Sequence, residues 1–314
     1  MTRVAAVDCG TNSIRLLIAD TDGSRLHDQV RRMEIVRLGQ GIDRTGRIAA
    51  DAMERTLAVA REYASQCTQL KVDRVRFVAT SASRDAANAA DFTDGVARAF
   101  ERFGIDPEVV TGAEEAALSF RGATSVVGAG MPAPYLVIDL GGGSTEFVLG
   151  EREVRAARSV DIGCVRLTER RLHTDPPTDA EIAATIADIS AAIDQAAAEV
   201  PLDQARTLVG LAGSVTTVTA HALGLSSYDP DVIDGARLPV DRVIESCNAL
   251  LHATRDERAA MGFMHPGRVD VIGSGALIWR TIVERLAGVA GLTEVVTSEH
   301  DILDGIALGL GDQH

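Results

Sequence analysis

Apolar residues fall along this chain in short runs, and their spacing switches between strand-like and helix-like. Val4–Val7 and Ile14–Ala19 are β-rich runs separated by the polar turn Asp8-Cys9-Gly10-Thr11-Asn12-Ser13. Asp22-Gly23 marks a hairpin turn before a third strand over Arg31–Leu38. Ala50–Gln66 has helical composition, Val72–Ala79 predicts a strand, and a further helix is expected over Ala90–Phe103. A short strand at Pro107–Thr111 and a short helix at Ala113–Gly122 complete this half.

The segment Gly128-Ala-Gly-Met-Pro-Ala-Pro134 is dense in residues that interrupt regular structure, which makes it the candidate boundary and the candidate hinge, about residues 122–134. The pattern then restarts. Strands are expected at Tyr135–Asp139, Thr145–Leu149 and Val154–Val160, around a glycine turn at Leu140–Ser144. A long helix follows over Thr178–Val200, with Thr178 or Asp179 as its N-cap, and then a buried strand at Thr207–Leu211. Helices alternate thereafter with a single strand at Glu294–Thr297, and a last helix near Asp301–Leu310 is expected to pack back on the first domain. Strands followed by helices, twice, predict two α/β domains, residues 1–124 and 125–314. A length of 314 residues agrees with two domains of roughly 150 each.

The restart is an internal repeat. An offset of 131 places Asp139 on Asp8, Gly141 on Gly10, Ser144 on Ser13 and Glu146 on Arg15. Each copy runs apolar, Asp, x, Gly, two small or polar residues, Ser, then a second apolar strand. Duplicated domains with a cleft between them are the expectation.

Composition narrows the chemistry. The chain is 46% hydrophobic and 24% charged, as a globular protein is, and its net charge of −14 argues against a broad nucleic-acid or anionic-membrane surface. Lys71 is the only lysine, set in Leu-Lys-Val, so neither a P-loop nor a lysine Schiff base is expected and cationic work falls to arginine. Cys9, Cys67, Cys164 and Cys247 are scattered, with no zinc-like spacing, which points to reduced thiols; Cys9 reads as a buried small residue. Aromatics are 4%, too few for a stacking platform on single-stranded nucleic acid. The chain reaches Asp8 before any long apolar run and holds no apolar stretch near ~18 residues, so a cytoplasmic location is expected.

An Asp-x-Gly-x-x-Ser turn has a definite chemistry. Its glycines let the backbone bend sharply and turn N–H groups toward a ligand, forming an anion nest. Ser13 and Ser144, with Thr11, Asn12, Gly142, Gly143 and Thr145, add donors at the same edge. The aspartates can hold Mg²⁺ through water. A single such turn is also an ordinary hairpin; two at matching positions could hold a phosphate chain and its metal.

These residues carry a family resemblance. Asp8-Cys-Gly-Thr-Asn-Ser-Ile-Arg15 and Asp139-Leu-Gly-Gly-Gly-Ser-Thr-Glu146 resemble the two phosphate loops of the exopolyphosphatase/guanosine-pentaphosphatase (Ppx/GppA) family, of the actin/hexokinase/acetate-kinase superfamily. Thr111-Gly-Ala-Glu-Glu-Ala116 resembles the segment with the family's catalytic glutamate, here Glu115. Ala79-Thr-Ser-Ala-Ser-Arg84 resembles the segment with its arginine, and Ala212-Gly-Ser-Val-Thr216 and Gly267-Arg-Val-Asp270 match segments of the second domain. Ala113 stands where the family often has Asn, the Ala212–Thr216 segment is loosely kept, and the resemblance is to the short form without a C-terminal helical extension.

The resemblance implies two duplicated ribonuclease-H-like domains and a homodimer. It implies Mg²⁺-dependent release of terminal orthophosphate from inorganic polyphosphate, with Mn²⁺ as an alternative metal. Glu115 would then activate the attacking water, in place of a solvated acid at a helix start, with Glu114 exposed or capping. Asp139 and Glu146, with Asp8 third, are the metal candidates, against readings as a turn aspartate and an exposed strand acid. Arg84, Arg15 and Arg268 are candidates to grip phosphate oxygens, against surface salt bridges, with Gly213 and Ser214 beside the phosphate. His265 reads as a loop histidine. Alternatives left open are a guanosine pentaphosphate 5′-phosphohydrolase, a kinase of the same superfamily, and a non-enzymatic filament or sensor that binds guanosine tetraphosphate.

Overall fold

The computed structural model describes residues 1–125 and 131–311, and these divide into two compact units. The first comprises Met1–Gly122 and the last helix, Ile302–Gly311; the second is Ala123–Asp301. Residues 126–130, which carry most of the expected boundary and hinge, lie outside the described residues.

In the first unit, strands β1 (Thr2–Cys9), β2 (Ser13–Thr21), β3 (Leu26–Ile35), β4 (Arg74–Ala79) and β5 (Glu108–Val109) form one sheet in the order β3-β2-β1-β4-β5. β1 pairs antiparallel with β2 and parallel with β4. Its apolar run has a direct cause: both faces of β1 are covered, so no polar alternation is needed. Ala5, Val7 and Cys9 point into a cluster with Tyr63, Phe77, Phe92 and Phe100 beneath helices Ala50–Gln69 and Ala89–Ala99. Phe77 meets Phe92 and Phe100 edge-on, with centroids 6.3 and 5.8 Å away. Val4 and Ala6 point the other way, onto Ile302, Ile306 and Leu310.

That second cluster corrects the expected boundary of 125–314. The last helix belongs to the first unit because it covers the Val4, Ala6 and Leu17 face of the sheet. Asp304 on this helix is 1% exposed and accepts from Arg31 Nη2 on β3 at 2.6 Å.

The second unit repeats the plan. Strands β6 (Tyr135–Leu140), β7 (Thr145–Gly150), β8 (Val154–Val160), β9 (Thr207–Leu211), β10 (Arg237–Pro239) and β11 (Glu294–Thr297) take the order β10-β11-β9-β6-β7-β8. Apart from β10, this is the ribonuclease-H-like order of the first sheet, so the expected fold class holds. β10 corrects the expectation of a single strand after Leu211; it is three residues long and ends in Pro239, which masks a strand signal. Helix Asp179–Ala197 starts at a capping box between Thr178 and Glu181. Among the described residues no helix is long and apolar enough to cross a membrane.

Candidate active site

In each unit the three parallel strands end at one edge of the sheet, where ligand sites of open α/β sheets form. In the first unit β1, β4 and β5 deliver Gly10, Thr80 and Thr111 there, with Cys9 beside Ala79 and Ala79 beside Val109. In the second, β6, β9 and β11 deliver Gly141, Ala212 and Ser298, with Asp139 beside Leu211 and Thr297 beside Gly210.

The two hairpin turns match bond for bond. Gly10 N donates to Ser13 O at 2.9 Å, and Gly141 N donates to Ser144 O at 3.0 Å. Each loop is then clasped through its carbonyls. Asn12 O accepts from Val36 N and Arg37 N, and Thr11 O accepts from Gly39 N. Gly142 O accepts from Val165 N and Arg166 N, and Gly143 O accepts from Arg166 Nε at 2.7 Å. Gly163 is required by this clasp, since a Cβ there would stand 2.4 Å from the Gly142 carbonyl. With carbonyls engaged, the N–H groups of Gly142, Gly143 and Ser144 make no hydrogen bond among the described residues, which suits an anion nest. In the first loop Thr11 Oγ1 and Asn12 Oδ1 are buried without a hydrogen-bond partner among the described residues. Thr145 instead spends its hydroxyl on Ile162 O at 2.7 Å.

The strands flanking the turns diverge in charge. Asp8 lies directly opposite Arg15, whose Nε and Nη2 reach Asp8 Oδ2 at 3.0 and 2.7 Å. At the same register in the second unit, Asp139 lies directly opposite Glu146. They are 7% and 1% exposed, so neither is the exposed strand acid of the bland reading. Glu146 also accepts from Ser159 Oγ at 2.7 Å. Two carboxylates face to face in a buried hairpin repel, and a divalent cation relieves that. Among the described residues no cluster of three or more His, Cys, Asp or Glu could hold a metal. Two carboxylates are a donor set that Mg²⁺ can use, since it accepts one or two carboxylates and completes its shell with water and substrate phosphates.

Glu115 sits in the first turn of helix Gly112–Thr124, 8% exposed, so it is not a solvated helix-start acid. Arg84 holds it, with Nη1 2.6 Å from Glu115 Oε2 and 3.0 Å from Val110 O. Glu114 caps instead: it accepts from Thr111 N at 2.8 Å, and Glu114 N donates to Thr111 Oγ1.

In the second unit the arginine expected to grip phosphate lies flat on a glycine. A Cβ on Gly213 would stand 1.0 Å from Arg268 Nη1, 1.6 Å from Cζ and 2.0 Å from Nη2. Only glycine admits the guanidinium there. Ala212 precedes it at φ 67°, a left-handed backbone that a non-glycine residue adopts at a cost, between β9 and helix Ala212–Leu223. His265 Nδ1 accepts from Gly267 N at 3.1 Å and so caps the turn that carries Arg268. Cys9 and Cys164 are buried, and burial pushes both thiols up from their ordinary value.

Two residues at this edge have no motif in the sequence. Tyr228 Oη is hydrogen-bonded to Thr216 Oγ1 at 2.7 Å and to the Glu299 carboxylate. Glu299 follows the third parallel strand of its sheet, and that topological equivalence to Thr111 was the only signal for it.

Two ribonuclease-H-like units, each bearing a clasped glycine loop and a carboxylate at its hairpin, define a duplicated α/β protein of the ribonuclease-H-like type. The Ppx/GppA phosphatase family model matches residues 17–309. The chain is 51% identical to Exopolyphosphatase 2 of Mycobacterium tuberculosis, over 99% of each chain. Among solved structures, an exopolyphosphatase-like protein superposes with a TM-score of 0.94 at 46% identity, over 99% of each chain. An exopolyphosphatase from Cytophaga hutchinsonii superposes with a TM-score of 0.86 at 26% identity, over 99% of this chain and 98% of that one. The chain belongs to the Ppx/GppA phosphatase family.

Proposed function

We propose that the protein is an exopolyphosphatase, a hydrolase that releases terminal orthophosphate from inorganic polyphosphate and depends on Mg²⁺. The observation that carries this reading is the buried Asp139–Glu146 pair, opposed across the second glycine loop where the first loop has Asp8–Arg15. Two adjacent carboxylates and a row of N–H donors suit a phosphate chain that arrives with its metal. The relatives named exopolyphosphatase support the same substrate class.

In this reading Glu115 takes a proton from the attacking water. The water oxygen forms a bond to the terminal phosphorus, the phosphoanhydride bond breaks, and the shortened chain leaves with the bridging oxygen. Arg84 keeps the Glu115 carboxylate oriented toward the attacking water. Gly142, Gly143 and Ser144 donate N–H groups to non-bridging oxygens, and the Arg268 guanidinium neutralises charge there. Thr11 and Asn12 serve the same purpose from the first loop. Asp139 and Glu146 would hold Mg²⁺, which supplies neutralisation of the phosphate charge.

The test is phosphate release by wild type and Glu115→Gln, with Mg²⁺ and with chelator, from short polyphosphate, long polyphosphate and guanosine pentaphosphate. Release from polyphosphate that collapses in the variant by at least a hundredfold, while binding persists, is expected. Release only from the guanosine compound would replace polyphosphate as the substrate. No release from any substrate would return the protein to a kinase or a sensor.

A further inference from the structure

The edge that carries Arg268 also carries an acid that the proposed reaction does not use. Glu299 stands just past β11, and its backbone N–H donates to Asp234 Oδ1 at 3.0 Å. Its carboxylate is hydrogen-bonded to the Tyr228 hydroxyl, which is bonded in turn to Thr216. Thr216 lies one turn into the helix whose start, Gly213, carries the Arg268 guanidinium. The Arg268 charge is felt at both Glu299 and Tyr228. Tyr228 and Thr216 therefore hold an acid at the helix start where the Arg268 guanidinium lies against Gly213, three residues before Thr216.

We propose that Glu299 is a specificity-determining residue: a counter-charge to Arg268, fixed by Tyr228, that sets how strongly this edge grips a polyanion. The inference rests on the reading of Arg268 as a phosphate-binding residue. An ionised Glu299 offsets the Arg268 field and competes with phosphate for it; a neutral Glu299 leaves that field to the ligand. The protein therefore binds anionic chains more tightly when Glu299 carries a proton.

The groups facing Glu299 set where that proton is lost. Burial is the main cause that raises its pKa from the usual carboxylate range, and the charges of Asp301 and Asp234 raise it further. The Tyr228 hydrogen bond and Arg268 act in the opposite direction. His300 Nε2 lies 3.8 Å from Asp234 Oδ2 and adds a positive charge nearby once protonated. Tyr228, raised by burial and by Glu299, keeps its phenolic proton throughout the ordinary pH range.

The experiment uses tripolyphosphate as the probe and calorimetric Kd against pH as the readout, in a Glu115→Gln background that prevents turnover. Adding Glu299→Gln is expected to tighten binding on the order of tenfold at pH about 8, and by a factor that shrinks as pH falls. Adding Tyr228→Phe removes a bond that favours the ionised acid, so the pH at which the Kd of the Glu299 protein rises should move upward. A purely structural role would shift Kd equally at every pH. If Glu299→Gln leaves the Kd–pH curve superimposable on its parent, the inference is overturned. Failure of the hydrolase reading shows separately, as absence of phosphate release from the wild type.

Discussion

Gly213→Ala is the sharpest perturbation this structure offers. The three atoms nearest to a new Cβ, at 1.0, 1.6 and 2.0 Å, belong to the Arg268 guanidinium. None belongs to backbone, so the helix from Ala212 need not move and the far end of a flexible side chain yields instead. Gly213 is also outside the set of glycines with a positive φ, so alanine adds no backbone strain there. The substitution therefore expels one guanidinium and leaves the fold in place. A charge-assisted bond from arginine to phosphate contributes about 1.5–3 kcal/mol, so kcat/KM for polyphosphate should fall by about 10- to 150-fold. Phosphate release measured beside thermal unfolding separates the two effects. The melting temperature should stay within a few degrees of wild type, about what 1 kcal/mol would produce. Arg268→Ala should lose activity by a similar factor, and the double variant should lose little more than either alone. Full activity in Gly213→Ala, or losses that multiply in the double variant, would refute the placement of Arg268 as a phosphate ligand.

Three further outcomes follow from the same structure. Asp304→Ala removes the buried partner of Arg31, which keeps its pairing with Asp28, and should destabilise the protein by about 1.5–3 kcal/mol in urea unfolding, the range for a lost hydrogen bond to a charged group. Burial pushes Cys67 up to about 12 and raises Cys9, Cys164 and Cys247 as well, so a disulfide reagent at pH about 8 should label none of the four in the native protein and all four in guanidinium. Hydrogen bonds from the Thr174 hydroxyl and from the Thr178 and His173 backbone lower Glu181 to about 2. Its contribution is present above the ordinary value of 4.5 and lost as pH falls toward about 2, so the stability advantage over Glu181→Gln should vanish across that window in acid titrations.

How much of this was legible in the sequence depended on whether a residue's role is local. β9 and β11 lie where the apolar runs place them because both are buried, whereas β8 occupies its expected span with only Val160 buried and is held as a strand by pairing with β7. β3 runs Leu26–Ile35, not Arg31–Leu38: its first residues are polar and mostly exposed, so pairing with β2 rather than burial makes it a strand. The hairpin loops were legible because seven or eight consecutive residues carry their chemistry, and the offset that set Glu146 on Arg15 already contained the difference in charge. Contacts across long separations were not. Arg84 on Glu115, Arg268 on Gly213 and Tyr228 on Glu299 each depend on which strand ends the topology brings to one edge.

That edge also changes how the net charge of −14 should be understood. A polyanion site in an acidic protein would be simplest as a bare cluster of arginines. Neither unit is built that way. In the first unit Arg15 is paired with Asp8 and Arg84 with Glu115; in the second the Arg268 charge is felt by Glu299. Arg15 and Arg84 are thus compensated within their own unit, and in the second unit Asp139 lies opposite Glu146 where the first has Asp8 opposite Arg15. In the proposed function, affinity for an anion draws on what would neutralise the acids, a divalent cation for the second loop and a proton for Glu299, rather than on positive charge alone. Under the proposed function the arrangement favours a polyanion that arrives with its metal over a bare one. It also assigns different work to the two copies of one motif. Asp8, held by Arg15, stiffens a loop that presents Thr11 and Asn12, whereas Asp139, opposed by Glu146, is proposed to hold a cation at its loop.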